Sequence, residues 1–412
     1  MSTGWKGRNK HLTRHCKSTL CCILVFLSSF SILAGKRSGG RLLAAGKPEN
    51  TITVAFVRGG HFGIEAVEYL LQRALPGFHI SFLPASTSAV RDDVDLVVEG
   101  PPLFADGSYG PCPPRHIPWL QYIAEPGRHY DDTKWCSHDS APLVRLDTSL
   151  KYIHDVSPDT VFLWTPYGCK AIVELKLQSK LMSLNWRSLG DKLVRNRENL
   201  VAWISANCAK HRVDLWNEIV KRADEARGET GLHALGACMH NVDFHIPERS
   251  AGWHQTIGAY EKYRFVFALE NTYEPGYVSE KLVTAIASGA IPIYFGDGNA
   301  ASMIFNPDAF IDVLQLWDRQ EHTINFSELE KNNWKMVASH VLDINRNTSA
   351  LDVFSQRAAF PSPYRKSVRH LASFKLPNFP FPPTCFEVGP VSDFDAQTTL
   401  AFNAIKATFL MK

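Results

Sequence analysis

Short apolar runs alternate with amphipathic segments along most of the chain from residue 51 onward. TITVAFV is an apolar, β-branched run, and the IEAVEYLLQRAL that follows has apolar residues at helical spacing. The same order returns in the second half, where LVAWISANC predicts a strand and RVDLWNEIVKRADEAR predicts an amphipathic helix. Because apolar strands that alternate with helices are typical of parallel sheets covered on both faces, we predict an α/β fold.

A strand, a helix and a further strand then follow each other closely. YRFVFALEN and IPIYFGD predict strands, and SEKLVTAIASG between them predicts a helix with Ser279 as its N-cap and Gly289 as its stop. We predict two Rossmann-like, doubly wound domains that face a central cleft, residues 51–195 and residues 196–375. Residues 376–412 are predicted to form a C-terminal tail.

The first 50 residues have a different pattern. Residues 1–18 contain five basic residues and no acidic residue, and residues 19–35 contain no charge. A helix of that length just spans a bilayer core of about 30 Å, and the basic residues before it favour a cytosolic N-terminus. We predict a cytosolic tail (1–18), a transmembrane signal anchor (19–35) and a stem (36–50). A cleaved signal peptide is the alternative.

The composition fits a globular protein of the secretory lumen. With 44 basic and 41 acidic residues the net charge is +3, which is too small for the basic face that nucleic-acid binding needs. Six of the nine cysteines follow the predicted anchor, which permits three disulfides. No cysteine pair has zinc-site spacing, so we predict no metal site. Asn325 and Asn347 are candidate N-glycosylation sites.

The stretch FVFALENTYEPGYVSEKL, residues 265–282, places polar groups where a strand leads into a helix. In open α/β sheets, ligands bind at the carboxyl ends of the strands. Lys281 lies in the first helical turn, where a cation is unfavourable for the helix but suits an anion bound at its N-terminus. Glu280 can accept two hydrogen bonds from a vicinal diol such as a ribose. This pair indicates a nucleotide-sugar site, and two solvated helix-start residues are the alternative.

A diphosphate leaving group calls for a second cation. Arg212 opens the helix that follows the first strand of the second domain, and guanidinium groups match phosphate oxygens well. A surface arginine is the alternative reading of this residue. Asn271 and Tyr277 are candidates for further polar contacts. A nicotinamide cofactor is poorly supported, because the chain has no dinucleotide fingerprint and no Walker A sequence.

These residues form a pattern that resembles the signature segment of the α1,3/1,4-fucosyltransferases. That segment reads F-x-x-x-F-E-N-x-x-x-x-x-Y-[IV]-[ST]-E-K, and here Glu270-Asn271 and residues 277–281 occupy its fixed places. ISANCAKHR, LHALGAC and FNPDAFIDV resemble three further segments of the family. Their cysteines imply a disulfide between Cys208 and Cys238. The resemblance is strong over about residues 200–315 and weaker over 115–170.

The resemblance implies a GT-B architecture whose second domain binds GDP-fucose. Carried onto this sequence, Arg212 and Lys281 would contact the diphosphate, Glu280 the ribose, and Asn271 and Tyr277 other parts of the donor. The family transfers fucose with inversion and needs no metal motif, so GDP-fucose is expected as a substrate, with no tightly bound cofactor and no divalent metal.

The resemblance also implies a catalytic base in the first domain. Such a base removes the proton of the acceptor hydroxyl and contributes on the order of 10²–10⁴ in rate. The family's base lies in an E-S-P-like stretch, and this chain has Glu125 directly before Pro126, without the serine. Since proline favours an extended residue before it, Glu125 is the first choice. Glu99 and Asp139 are the substitutes, and a purely structural carboxylate is the alternative.

The resulting hypothesis is an inverting α1,3-fucosyltransferase that acts on glycan or glycoprotein acceptors. The expected location is the Golgi membrane, with a single-pass type II anchor and the catalytic part in the lumen. One alternative is a protein O-fucosyltransferase of the endoplasmic reticulum. Another is a catalytically inactive, membrane-anchored sugar-binding protein.

Overall fold

The computed structural model describes most of the two predicted domains and one segment near the C-terminus. The described residues are 50–57, 64–83, 93–100, 112, 114–123, 136, 138–151, 157, 159–164, 166–168, 171, 194–226, 229–243, 246, 252–316, 331–355, 357, 359 and 395–410. The predicted cytosolic tail and anchor, and the stem up to residue 49, lie outside these ranges. Within the described ranges, no helix combines the length and the apolar character needed to cross a membrane.

The first half of the chain forms a six-stranded sheet in which every pair of neighbours is parallel. Its strand order is β2-β1-β3-β4-β5-β6. The elements are β1 (Thr51–Val57), α1 (Ile64–Ala74), β2 (His79–Leu83), β3 (Leu96–Glu99), β4 (Trp119–Ile123), β5 (Val144–Asp147) and β6 (Val161–Trp164).

Strand β1 is mostly apolar because both faces of the sheet are covered. Val54 and Phe56 pack in a core that includes residues of α1, whereas Ala55 and Val57 point into a separate cluster on the opposite face. Side chains alternate between the faces of a strand, so a strand buried on both sides favours apolar residues on both faces. The β-branched run that predicted this strand therefore also predicted its burial.

The second half forms a five-stranded sheet, again with parallel neighbours, in the order β11-β10-β9-β7-β8. Its strands and helices are β7 (Asn199–Trp203), α2 (Lys210–Glu225), β8 (Leu232–Ala234), α3 (Gly252–Tyr260), β9 (Tyr263–Leu269), α4 (Glu280–Ala287), β10 (Ile291–Phe295), α5 (Gly298–Ile304), β11 (Ile311–Asp312), α6 (Lys331–Arg346) and α7 (Thr348–Ser355). Strand β9 lies in the middle of this sheet, between β7 and β10. The α/β prediction is thus confirmed, and each sheet lies within one predicted domain range.

Helix α4 begins and ends where its sequence signals predict. The Ser279 hydroxyl accepts a hydrogen bond from the Lys281 amide, which makes Ser279 the N-cap. Gly289 has a φ of 72°, the left-handed conformation that commonly terminates helices. The start of α4 is therefore fixed at the carboxyl edge of the sheet.

The C-terminal segment contains a helix that was not predicted. Residues Asp395–Leu410 form α8, and its Ala401 and Ile405 are buried in the same core as the apolar face of α1. The sequence analysis predicted only a tail over 376–412. The last described part of the chain thus returns to the first sheet.

Two disulfides involve described cysteines. Cys208 and Cys238 are bonded, as the resemblance implied, and the bond joins the segment before α2 to the turn after β8. Cys112 and Cys136 form a second disulfide in the first half.

Candidate active site

The connection between β9 and α4, residues 270–279, holds most of the polar residues that the sequence analysis singled out. We refer to it as the β9–α4 loop. It starts at the carboxyl end of the middle strand, where the Glu270 amide donates to the Phe295 carbonyl at the end of β10 (2.8 Å). It ends at Ser279, the N-cap of α4. In parallel sheets of this kind, ligands bind at this edge.

Glu270 is a buried carboxylate that fixes the two ends of the loop to each other. Its Oε1 accepts from the Ser279 amide (2.7 Å) and its Oε2 from the Ser279 hydroxyl (2.7 Å). Burial raises the pKa of Glu270 to about 6, against the opposing effects of the Lys281 charge and the Ser279 hydrogen bonds. The two ends of the loop are therefore joined through a buried carboxylate whose pKa is about 6.

Lys281 lies in the first turn of α4 with its ammonium among three oxygen acceptors. Its Nζ is 3.2 Å from Glu280 Oε1, 3.4 Å from Ser279 Oγ and 4.0 Å from Glu270 Oε2. The Lys281 and Glu280 side chains remain 18% and 22% exposed, whereas Glu270 is fully buried. The Lys281 ammonium and the Glu280 carboxylate thus lie next to each other at the N-terminus of α4, where solvent reaches both.

Arg212, in the first turn of α2, contacts the start of the same loop and is only 1% exposed. Its guanidinium donates to Ser205 Oγ (3.0 Å), to the Leu269 carbonyl (2.6 Å) and to Asn271 Oδ1 (2.6 Å). Beside it, His211 Nε2 lies 3.1 Å from the Glu270 carbonyl oxygen, which accepts its hydrogen bond. The first turn of α2 therefore holds the end of β9 and orients the Asn271 amide.

The structure brings all five predicted donor-binding residues to this loop or directly under it. Asn271, Glu280 and Lys281 are half-buried, and the Tyr277 side chain is buried, with its carbonyl accepting from Tyr294 Oη (3.5 Å). Their contacts with a donor stay predictions. Glu270 was quoted in the sequence motif but not assigned a role. The sequence feature that could have identified Glu270 is an acidic residue directly after an apolar strand.

The predicted base, Glu125, lies outside the described residues; β4 ends two positions earlier, at Ile123. Of its substitutes, Glu99 is buried at the end of β3 and accepts from the Cys136 amide (2.9 Å) and from His138 Nε2 (2.7 Å). Asp139 is exposed. The role of Glu125 therefore stays a prediction. The Glu99 carboxylate binds the segment around Cys136.

Asp147 is a second buried carboxylate that the sequence analysis did not single out. It ends β5 and accepts from Arg145 Nη2 (2.8 Å) and from the Ser149 amide (2.9 Å). Burial raises its pKa to about 6, Arg145 opposes that rise, and the negative charge of Glu274 in the β9–α4 loop adds to it. The Leu150 amide, which follows β5, donates to the Pro275 carbonyl (2.6 Å), so the carboxyl edge of the first sheet lies near this loop.

Neither metal binding nor glycosylation gains a structural assignment. In the part of the chain that the structure describes, no three His, Cys, Asp or Glu side chains are close enough to hold a metal ion. Asn347 is exposed, and its Oδ1 accepts from the Ala350 amide at the start of α7. Asn325 lies outside the described residues.

Comparisons with known proteins find similarity over the part of the chain that holds these residues. Residues 194–340 match the model described as glycosyltransferase family 10 (fucosyltransferase) C-term. An α-(1,4)-fucosyltransferase of Arabidopsis thaliana is 32% identical over 140 residues, which cover 31% of this chain and 33% of that protein. A GDP-fucose protein O-fucosyltransferase 3 of Xenopus laevis is 24% identical over 149 residues, which cover 34% of this chain and 30% of that protein. The matched stretches thus span about a third of these relatives.

A solved structure gives a broader but weaker likeness. The crystal structure of an α1,3-fucosyltransferase with GDP-fucose aligns with 82% of this chain and 93% of its own, at 14% identity and a TM-score of 0.45. The family match, by contrast, covers all five predicted donor-binding residues and both cysteines of the Cys208–Cys238 disulfide. Residues 194–340, which contain the β9–α4 loop, therefore match the C-terminal domain of the glycosyltransferase family 10 fucosyltransferases.

Proposed function

We propose that this protein transfers fucose from GDP-fucose to an acceptor hydroxyl, with the donor bound where the β9–α4 loop enters α4. The observation that carries this proposal is the Glu280–Lys281 pair. It is half-buried in the first turn of α4, at the carboxyl edge of a parallel sheet, with the Arg212 guanidinium under the same loop. The match of residues 194–340 to the fucosyltransferase model supports GDP-fucose as the sugar nucleotide.

The first turn of α4 suits the diphosphate. The first amides of a helix have no intrahelical acceptor, and the helix dipole adds positive potential there. Lys281 adds a full positive charge at the same place. The buried Arg212 guanidinium donates to Asn271 Oδ1 and so fixes the orientation in which the Asn271 side-chain amide contacts the donor.

Glu280 and Lys281 bind different parts of the donor. In this structure Glu280 and Lys281 bind each other at 3.2 Å. A bound nucleotide sugar replaces that ion pair, because the phosphate takes the ammonium and the ribose diol donates to the carboxylate. This exchange explains why the chain has both residues at consecutive positions rather than two cations.

For the chemical step we propose inversion by a single displacement. Glu125 removes the acceptor proton while the bond between fucose and phosphate breaks, and the positive charges at the β9–α4 loop stabilise the departing GDP. We propose an α1,3 linkage on a glycan acceptor, made in the Golgi lumen by a type II membrane protein. Relatives that act on protein make O-fucosylation in the endoplasmic reticulum the second candidate.

Calorimetric titration with GDP tests the donor site. Lys281→Ala removes the ammonium, and because a hydrogen bond to a charged group contributes about 1.5–3 kcal/mol, GDP should bind roughly 10- to 100-fold more weakly. Lys221→Ala is the matched control, since Lys221 also pairs with a glutamate on a helix, at 3.9 Å from Glu225, but on the exposed surface of α2. Equal GDP affinity in both variants would remove Lys281 from the site.

An acceptor screen tests the rest of the proposal. With GDP-fucose as donor, we expect transfer to N-acetyllactosamine-type or N-glycan-core acceptors, and Glu125→Gln should abolish transfer while GDP affinity is kept. Transfer to folded protein substrates alone would favour the O-fucosyltransferase. GDP binding without transfer to any acceptor would favour a sugar-binding protein.

A further inference from the structure

The segments that follow β5 and β6 of the first sheet close onto the backbone of the β9–α4 loop. The Leu150 amide and the Ser149 hydroxyl both donate to the Pro275 carbonyl, at 2.6 Å and 3.1 Å. The Trp164 indole donates from Nε1 to the Gly276 carbonyl at 2.9 Å. Two consecutive carbonyls of the loop therefore have partners from the other half of the chain.

The fit around Gly276 leaves no room for a side chain. Gly276 has a φ of +81°, and a Cβ there would lie 2.5 Å from Leu150 Cγ and 3.0 Å from Trp164 Nε1. Trp164 is itself only 1% exposed. Glycine is thus required both by the backbone conformation and by the close approach of the first half.

A further contact brings the first half up to the helix start. The Gly168 amide donates to the Val278 carbonyl (2.8 Å), and a Cβ on Gly168 would lie 3.0 Å from the Ser279 carbonyl oxygen. Ser279 is the N-cap of α4, and the next two residues are Glu280 and Lys281. The first half therefore contacts the backbone directly before the Glu280–Lys281 pair, and Gly168 also lies against Val283 on α4.

Both backbone hydrogen-bonding groups of Gly276 have side-chain partners. Its carbonyl accepts from the Trp164 indole, and its amide donates to Asp297 Oδ2 (2.8 Å), the N-cap of α5 in the second half. Loss of either bond frees the loop to shift, and a displacement of about 1 Å in a binding group can cost on the order of 10²-fold in activity.

We propose that Trp164 is a positioning residue that holds the β9–α4 loop, and with it Glu280 and Lys281, in the conformation that receives the nucleotide sugar. This inference rests on the proposed function for the identity of the ligand. It makes donor affinity depend on a side chain of the first half, which is the acceptor side. The same contacts tie the donor site to β5, whose neighbour β4 leads to Glu125.

The test compares two buried tryptophans of the first sheet. Trp164→Phe removes the indole N–H that reaches Gly276. Trp119→Phe, the control, removes an indole N–H that donates to the Ser140 carbonyl at the same length of 2.9 Å, but within the first half. For both variants and the wild type, we would measure GDP affinity by calorimetry, the melting temperature, and amide hydrogen exchange of residues 276–281 without nucleotide.

Trp164→Phe should weaken GDP binding by about five- to tenfold, the loss expected for one buried hydrogen bond whose acceptor stays unsatisfied. It should also accelerate exchange in residues 276–281. Trp119→Phe should lower the melting temperature without either effect. If Trp164→Phe does not fold, Ser149→Ala removes one hydroxyl from the same contact and should give smaller changes in the same direction.

Three outcomes would overturn the proposal: GDP affinity of Trp164→Phe equal to the wild type, unchanged exchange in residues 276–281, or equal weakening of GDP binding by Trp119→Phe. Failure of the proposed function is visible separately, since the wild type would then not bind GDP. In that case the exchange measurement alone decides whether Trp164 positions the loop: faster exchange in Trp164→Phe supports it, and unchanged exchange overturns it.

Discussion

Replacement of Glu270 by glutamine tests whether the loop closes on a carboxylate with a raised pKa. Burial raises the pKa of Glu270 from the ordinary 4.5 to about 6. The folded protein therefore holds this proton more tightly than the unfolded chain does. The stability linked to it is fully present below about pH 4.5 and is lost as the pH rises through about 6. The rise in pKa corresponds to about 2 kcal/mol of unfolding free energy.

The glutamine variant isolates that charge because it can keep the hydrogen bonds. A glutamine Oε1 can accept from the Ser279 amide, and its Nε2 can donate to the Ser279 hydroxyl, which also has acceptor capacity. What the variant loses is the negative charge 4.0 Å from Lys281 Nζ and the proton that titrates. Two charged groups of α4 act on this carboxylate in opposite directions: Lys281 lowers its pKa and Glu280 raises it.

Urea denaturation of the wild type and Glu270→Gln at pH 4.5, 5.5, 6.5 and 7.5 gives the measurement. The unfolding free energy of the wild type, relative to the variant, should fall by about 1.5 kcal/mol across this range, because part of the effect already lies below pH 4.5. Subtraction of the two curves cancels Asp147, whose pKa is also raised to about 6. Glu68→Gln, which removes a surface carboxylate of α1, controls for a general loss of charge. A difference curve that is flat, or that rises with pH, would refute the reasoning.

Two further predictions concern the packing around the site. Arg212→Lys should lower the free energy of unfolding by about 1–3 kcal/mol and weaken GDP binding in calorimetry, because the three acceptors are contacted from two guanidinium nitrogens and an ammonium has one; an unchanged denaturation midpoint would contradict this. Gly298→Ala should destabilise the protein severely in thermal melts, because its Cβ would lie 1.8 Å from Asp312 Oδ2. The matched Gly258→Ala, in α3 with nothing within 4 Å, should instead raise stability by up to about 1 kcal/mol.

The parts of the fold that could be predicted are those with a local cause. Apolar runs predicted β1 and β9, a serine and a glycine at cap positions predicted the ends of α4, and two cysteines in family segments implied the Cys208–Cys238 disulfide. Each of these depends on residues close together in the sequence or on a motif. The α8 helix was missed because its apolar residues are scattered around the helix rather than gathered on one stripe.

The parts that could not be predicted depend on contacts between distant residues. The Trp164–Gly276 hydrogen bond joins positions 112 residues apart, and Ser149 reaches Pro275 across 126. No periodicity or spacing indicates such a pair. Arg212 shows the same limit in another way, because its sequence position is typical of a phosphate-binding arginine, and only the fold shows that it is buried among three protein acceptors.

The arrangement of charge around the β9–α4 loop explains how a site can be stable without its ligand and still bind an anion. The buried layer is Arg212 and Glu270, and both are fixed by hydrogen bonds to the protein. The accessible layer is the Glu280–Lys281 pair, and an ion pair that water can reach contributes only about 0–1 kcal/mol. Hydrogen bonds from an ammonium to a phosphate, or from a ribose diol to a carboxylate, contribute about 1.5–3 kcal/mol each. A donor can therefore separate the outer pair at a net gain, whereas Arg212 and Glu270 stay in place, because a buried charge that loses its hydrogen bonds costs several kcal/mol.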